Sequence, residues 1–297
     1  MKRRYVIADV FTDTPFLGNP VAVVLDAQGM STEQMQRIAV EFGYSETTFV
    51  LPPADPANTA QVRIFTPSRE IPFAGHPNVG TAYVLAYYAA LEGAPFPETM
   101  LFEEIAGLVP VKILKDHGVI TGAELLVPEA LSCRSEVSPE SVAACLSLNT
   151  EDIRTEVHRP VVASVGLPFL IAELASREAL RRCVPNLQGF RATLPLDGAV
   201  SLYAYTLDTN ADEPHDVQAR MFTPRMTEDP ATGSATAAAT ALLALHRNKT
   251  TLNLNVSQGV DMGRASVLFA GYDASSGEAV VRVGGNCVMT LEGTFSL

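Results

Sequence analysis

Three short segments of the 297-residue chain gather the residue types that can move a proton or hold an anion. In Gly75-His76-Pro77, glycine permits close backbone approach, His76 falls at or near a helix N-cap, and proline suits a first helical turn, where its missing N–H costs nothing. Such a helix start offers unpaired N–H groups and the positive end of the helix dipole to a carboxylate or a developing oxyanion. Helix capping alone would also account for a lone histidine before proline. In Glu228-Asp229-Pro230-Ala231-Thr232-Gly233-Ser234-Ala235, Ser234 is expected as N-cap and Gly233 as a second close-approach position. Asp229, five residues upstream of Ser234, has no evident capping duty and is free to orient a histidine or an amine. Glu46 opens the strand Thr47–Leu51 within the otherwise uncharged Phe42–Val50. It is either exposed at a strand edge or partly buried with a raised pKa, and the second case would suit a general base and acid near neutral pH.

The remaining candidates are weaker. Gln258 and Arg264, candidate substrate-pocket residues, flank the glycines of Gln258-Gly259-Val260-Asp261-Met262-Gly263-Arg264, where an arginine after a glycine turn can clamp a carboxylate or simply be solvated. The spacing of those glycines does not suit a dinucleotide, and no phosphate-binding P-loop, HxxxH or GxSxG elbow occurs. Neither a nucleotide nor a metal cofactor is expected. His117, His158, His215 and His246 share no spacing and read as structural. Cysteines 133, 145, 183 and 287 form neither a CxxC pair nor a dense framework, which fits reduced thiols in cytoplasm.

Self-comparison shows what must position these residues. Arg63-Ile64-Phe65-Thr66-Pro67 returns as Arg220-Met221-Phe222-Thr223-Pro224, a shift of 157, and Gly75 returns as Gly233 at a shift of 158. Each copy leads into a helix without charge, Thr81–Leu91 and Ala235–Leu245, and a helix apolar on all sides is a buried one. The flanking segments 5–11, 60–65, 109–114, 161–165, 201–207, 251–256, 279–283 and 287–295 alternate or carry β-branched runs and read as strands. The period is too long for a solenoid and implies paired domains. The expected fold class is α+β: two pseudo-symmetric halves, each a curved sheet or barrel around one central helix. Turn residues at Ala106-Gly107, Lys115–Gly118 and Thr121-Gly122 place the boundary near 118, giving halves 1–118 and 119–285, with the last strand, about 286–297, rejoining the first half.

A net charge of -12 argues against nucleic acid and anionic membrane as partners, while leaving room for a local anion site. The two apolar helices fall short of the ~20 residues a membrane span requires, and Asp9 and Asp13 interrupt the apolar N-terminus before a signal peptide could form. A cytoplasmic protein acting on a small molecule is expected.

Taken in order, Asp9-Val10-Phe11, Gly18-Asn19-Pro20, Ser45-Glu46-Thr47-Thr48-Phe49, Gly75-His76-Pro77 with Gly80-Thr81, Asp229–Ala235, and Gln258-Gly259 with Gly263-Arg264 resemble the PhzF-like family of phenazine-biosynthesis isomerases from end to end. The resemblance implies the diaminopimelate epimerase fold with a site in the cleft between two halves, no cofactor, a small carboxylated substrate and a homodimer. It implies Glu46 as the acid/base, His76, Asp229 and Ser234 as its partners, and Gly75 and Gly233 as close-approach positions. The family's named reaction is isomerisation of trans-2,3-dihydro-3-hydroxyanthranilate. Related racemases of the fold use one cysteine at each helix start; here those places hold His76 and Ser234, which argues against two-thiol racemisation. Two alternatives from other classes use the same residues: a small-ligand binding protein without turnover, and a hydrolase with Ser234 as nucleophile.

Overall fold

A computed structural model of the chain describes residues 2–127, 129–209 and 214–297. It divides into two compact units: the chain up to Leu126 together with Gly284–Leu297, and Val127–Val283.

The first unit contains β1 (Lys2–Val10), β2 (Asn19–Val24), α1 (Thr32–Phe42), β3 (Glu46–Leu51), β4 (Ala60–Phe65), β5 (Glu70–Ile71), α2 (Gly75–Leu91), β6 (Thr99–Glu104), β7 (Gly107–Asp116) and β8 (Val119–Leu126). Strand pairing runs β1–β2–β3–β4–β6–β7–β8, parallel at β2–β3 and β4–β6 and otherwise antiparallel through β7–β8. The final strand of the chain, Val280–Ser296, pairs with both β8 and β1 and closes an eight-stranded barrel. Helix α2 packs against β1, β2, β3, β7 and β8. Its absence of charge follows from that position, and only its last turns emerge, with Leu91 69% exposed. Gly80 lets the helix approach so closely because a Cβ there would collide with Val21 and Val10. Thr48 of β3 and Thr81 of α2 satisfy each other at 2.8 Å within this apolar interior.

The second unit contains β9 (Ser132–Glu136), α3 (Pro139–Leu146), β10 (Ile153–Arg154), β11 (Val161–Ser164), β12 (Pro168–Leu174), α4 (Arg177–Arg182), α5 (Leu187–Thr193), β13 (Leu202–Thr206), β14 (Val217–Phe222), β15 (Glu228–Asp229), α6 (Gly233–His246), β16 (Thr251–Gln258) and β17 (Ser266–Asp273). β18 (Val280–Ser296) starts here and continues into the first unit. The pairing β9–β11–β12–β13–β14–β16–β17 is parallel at β12–β13 and β14–β16 and antiparallel elsewhere. Apolar α6 packs against β11, β12, β16 and β17, as α2 packs on the strands of its own barrel.

The repeated R-x-F-T-P is a repeated piece of structure. Arg63 bonds Glu70 across the β4–β5 hairpin and lies over Phe65; Arg220 bonds Glu228 across β14–β15 and lies over Phe222. In each copy the threonine N–H closes the turn, Thr66 onto the Arg69 carbonyl and Thr223 onto that of Thr227.

Several expectations are corrected. The boundary lies at 126/127 rather than 118, because β8 pairs along β7 and belongs to the first barrel. Thr121-Gly122 is strand rather than turn. Segments 279–283 and 287–295 are one continuous strand: Gly284 marks close packing rather than a break, since a Cβ there would lie 2.6 Å from the Ala123 carbonyl oxygen.

Candidate active site

The side chain of Glu46 begins β3 and is 18% exposed. Parallel pairing sets Glu46 beside Val21 of β2, just past Asn19-Pro20. His76, the second residue of α2, is buried, and its Nδ1 stands 3.5 Å from Glu46 Oε2. Burial drives the His76 pKa down to about 3, opposed by a hydrogen bond to the Pro20 carbonyl. The ring is therefore neutral at ordinary pH, and its approach to Glu46 is not an ion pair. A carbonyl only accepts, so the nitrogen meeting Pro20 carries the hydrogen. Nε2 is buried without a partner, which assigns that hydrogen to Nδ1 and leaves Nε2 as a bare acceptor.

Gly75 and Gly233 are the first residues of α2 and α6. The N-caps are Ala74 and Thr232, and neither side chain caps its helix. Ser234 is thus not the N-cap expected from the sequence but the second residue of α6, matching His76 in α2. It is half-buried. With no side-chain acceptor, first-turn N–H groups remain for backbone, solvent or a ligand.

Asp229, at the end of β15, accepts the Thr232 hydroxyl at 2.6 Å through Oδ2. No local pattern marks this contact, because Ser234 and not Thr232 reads as the residue before the helix. Gln258, fully buried at the end of β16, donates through Nε2 to the Asp229 carbonyl at 2.8 Å and to Thr232 Oγ1 at 3.0 Å. Its Oε1 accepts the Thr232 N–H at 3.1 Å. Gln258 therefore spends its amide holding Asp229 and Thr232 in place. Arg264 is half-buried; its N–H donates to the Gly259 carbonyl at 3.0 Å, closing the loop after β16. Strand register also locates the counterpart of Glu46: Thr47 pairs with Phe65 and Leu202 with Phe222, so the position of Glu46 is held by Ser201 in the second unit.

Among the described residues no group of three His, Cys, Asp or Glu side chains is placed to hold a metal ion. The described cysteines are all free: Cys133 is exposed, whereas Cys145, Cys183 and Cys287 are buried. No described helix is long and apolar enough to cross a membrane.

The family model for phenazine biosynthesis-like protein (PhzC-PhzF) matches residues 8–293. The chain belongs to this family. It is 37% identical over 302 residues to an uncharacterized isomerase of Mesorhizobium japonicum, covering 98% of each chain. It is 35% identical over 296 residues to the trans-2,3-dihydro-3-hydroxyanthranilate isomerase of Pseudomonas aeruginosa, again covering 98% of each. The crystal structure of the Bacillus anthracis phenazine biosynthesis protein of the PhzF family superposes with a TM-score of 0.89 at 26% identity, over 100% of both chains. A hydroxyproline epimerase from Agrobacterium vitis shares the fold, with a TM-score of 0.59 at 13% identity over 99% of this chain and 91% of its own. The fold is thus the diaminopimelate epimerase-like α+β fold, and these PhzF relatives place the chain in the isomerase or epimerase class.

Proposed function

We propose that this PhzF-family chain is a cofactor-independent isomerase that moves a proton between carbons of a small unsaturated carboxylate, with Glu46 as the group that takes and returns it. The observation that carries this reading is the 3.5 Å approach of His76 Nδ1 to Glu46 Oε2, with the imidazole held neutral by burial. A neutral imidazole places no positive charge beside the carboxylate, which suits a group that has to accept a carbon-bound proton. The bare His76 Nε2 supplies an acceptor for a substrate hydroxyl or amine. The first-turn N–H groups after Gly75 and Gly233 suit the substrate carboxylate and the charge that spreads over it as the proton leaves. Asp229 and Ser234 are the proposed substrate-binding groups of the second unit, Asp229 being set by Thr232 and Gln258. Arg264 is proposed as a carboxylate contact.

The substrate named for the Pseudomonas aeruginosa relative, trans-2,3-dihydro-3-hydroxyanthranilate, is the first compound to test. Incubation in D₂O, followed by NMR, is expected to show deuterium entering the ring carbons with the wild-type chain and not with Glu46→Gln. Undiminished incorporation in that variant would remove Glu46 from its role. Covalent trapping of Ser234 by a serine-reactive probe would replace the isomerase reading with a hydrolase.

A further inference from the structure

We propose that Glu104, whose carboxyl oxygens are buried without a partner beside Asn78, is a positioning residue: a neutral, protonated brace for the first turn of α2, and so for His76. The proposal rests on the proton-transfer reading of that turn and adds to it a residue that neither the motifs nor the repeat had singled out.

The register of the two units makes Glu104 the counterpart of Gln258. In the first unit β6 runs parallel to β4, with Ala60 opposite Phe102 and Gln61 opposite Glu103. In the second, β16 runs parallel to β14, with Val217 opposite Val256, Gln218 opposite Ser257 and Ala219 opposite Gln258. The 157-residue shift of the R-x-F-T-P motif equates Ala60 with Val217. Phe102 then corresponds to Val256, and Glu104, two residues on, to Gln258. No residue identity links these two positions, so sequence comparison passes over them.

Gln258 shows what the position demands. Its amide donates and accepts at once, tying Thr232, the residue before α6, and the Asp229 carbonyl. An ionised carboxylate could only accept, whereas a protonated one has a donor and an acceptor and matches the glutamine in shape and polarity. Around Glu104 the missing donor is evident. Both of its carboxyl oxygens are buried without a hydrogen-bond partner, and so is Asn78 Oδ1. Asn78 itself is fully buried and donates through Nδ2 to the carbonyl of Ala74, the residue before α2, at 3.1 Å. A hydrogen on Glu104 donated to Asn78 Oδ1 would satisfy both groups and link β6 to the turn that carries His76.

The electrostatics agree. Burial pushes the Glu104 pKa up to about 8, and the nearby Asn78 amide, which makes no hydrogen bond to either carboxyl oxygen, opposes it only in part. No cation on the packed elements restores the charge: on β4 and β5 Arg63 and Glu70 pair with each other, and on α2 His76 is neutral. On β7, Lys115 lies over Phe96, and Lys112 pairs with Thr99 at the opposite end of β6. On β6 itself, Glu103 is engaged by Ala54, Asp55 and Asn58.

The test compares wild type, Glu104→Gln and Glu104→Leu by deuterium exchange into trans-2,3-dihydro-3-hydroxyanthranilate from pH 5 to 10, with urea unfolding at each pH. Wild type is expected to lose exchange as pH rises through about 8, whereas Glu104→Gln keeps the pH 6 rate within about twofold and lacks that basic limb. Glu104→Leu, without a donor, is expected to be slower by about tenfold or more at every pH. A Glu104→Gln variant that keeps the limb, or is as slow at pH 6 as Glu104→Leu, overturns the proposal. The unfolding arm needs no turnover. The folded state holds the Glu104 proton between the usual 4.5 and about 8, where the unfolded chain has lost it, so wild-type stability should fall relative to Glu104→Gln across that window. Parallel stability curves for the two proteins would overturn the brace even if the proton-transfer reading stood. If Glu46→Gln still exchanged, that reading would fail while the stability arm still decided Glu104.

Discussion

His76 Nδ1 lies 3.5 Å from Glu46 Oε2, too far for a strong hydrogen bond and near enough for a bound substrate to tighten. In the proposed reaction the rate depends on carboxylate reach. Glu46→Asp keeps the charge and withdraws it by one methylene, so deuterium exchange is expected to fall about 100-fold with the urea midpoint nearly unchanged. Exchange at the wild-type rate would show that the position of the carboxylate is not critical.

The buried imidazole also predicts an acid sensitivity. The folded-state pKa of His76 is about 3, below the usual 6.5, so between these values the unfolded chain binds a proton that the folded one refuses. Stability from this residue is complete above 6.5 and is lost as pH falls toward 3. Urea titrations of wild type and His76→Asn should therefore converge as the pH is lowered through that window. The exchange profile should show no limb from His76 between pH 5 and 9.

Arg220 and Arg63 occupy equivalent places with unequal consequences. The Arg220 side chain is 11% exposed and Glu228 10%, and Arg220 also donates to the carbonyls of Leu180, Arg181 and Cys183. Arg63 and Glu70 are 22% and 20% exposed. Arg220→Leu is expected to cost ~3–5 kcal/mol in urea unfolding, because Glu228 is left buried without its partner. Arg63→Leu should cost less, ~1–3 kcal/mol. Equal losses would contradict the difference in burial.

Gly284 gives a test of the closed barrel. A Cβ there would lie 2.6 Å from the Ala123 carbonyl oxygen, so Gly284→Ala must push β18 away from β8. A loss of ~1–3 kcal/mol and a lower melting temperature are expected. Unchanged stability would mean that the strands do not meet this closely.

The sequence by itself determined whatever depends on a few consecutive residues. The uncharged runs of α2 and α6 required buried helices, the glycine-led segments put His76 and Ser234 at two matching helix starts, and R-x-F-T-P announced a duplicated strand, turn and helix. The order of the motifs was sufficient to suggest the family. Only the tertiary structure decided which residues are partners. Asp229 meets Thr232, Glu46 corresponds to Ser201, and Glu104 corresponds to Gln258. It also showed that β8 and β18 complete the first barrel, which moved the boundary to 126. Helix character and capping are set by neighbours along the chain, whereas strand register and burial are set by residues far apart in it. The protonation of a carboxyl such as Glu104 follows from burial, which no local pattern around residue 104 records.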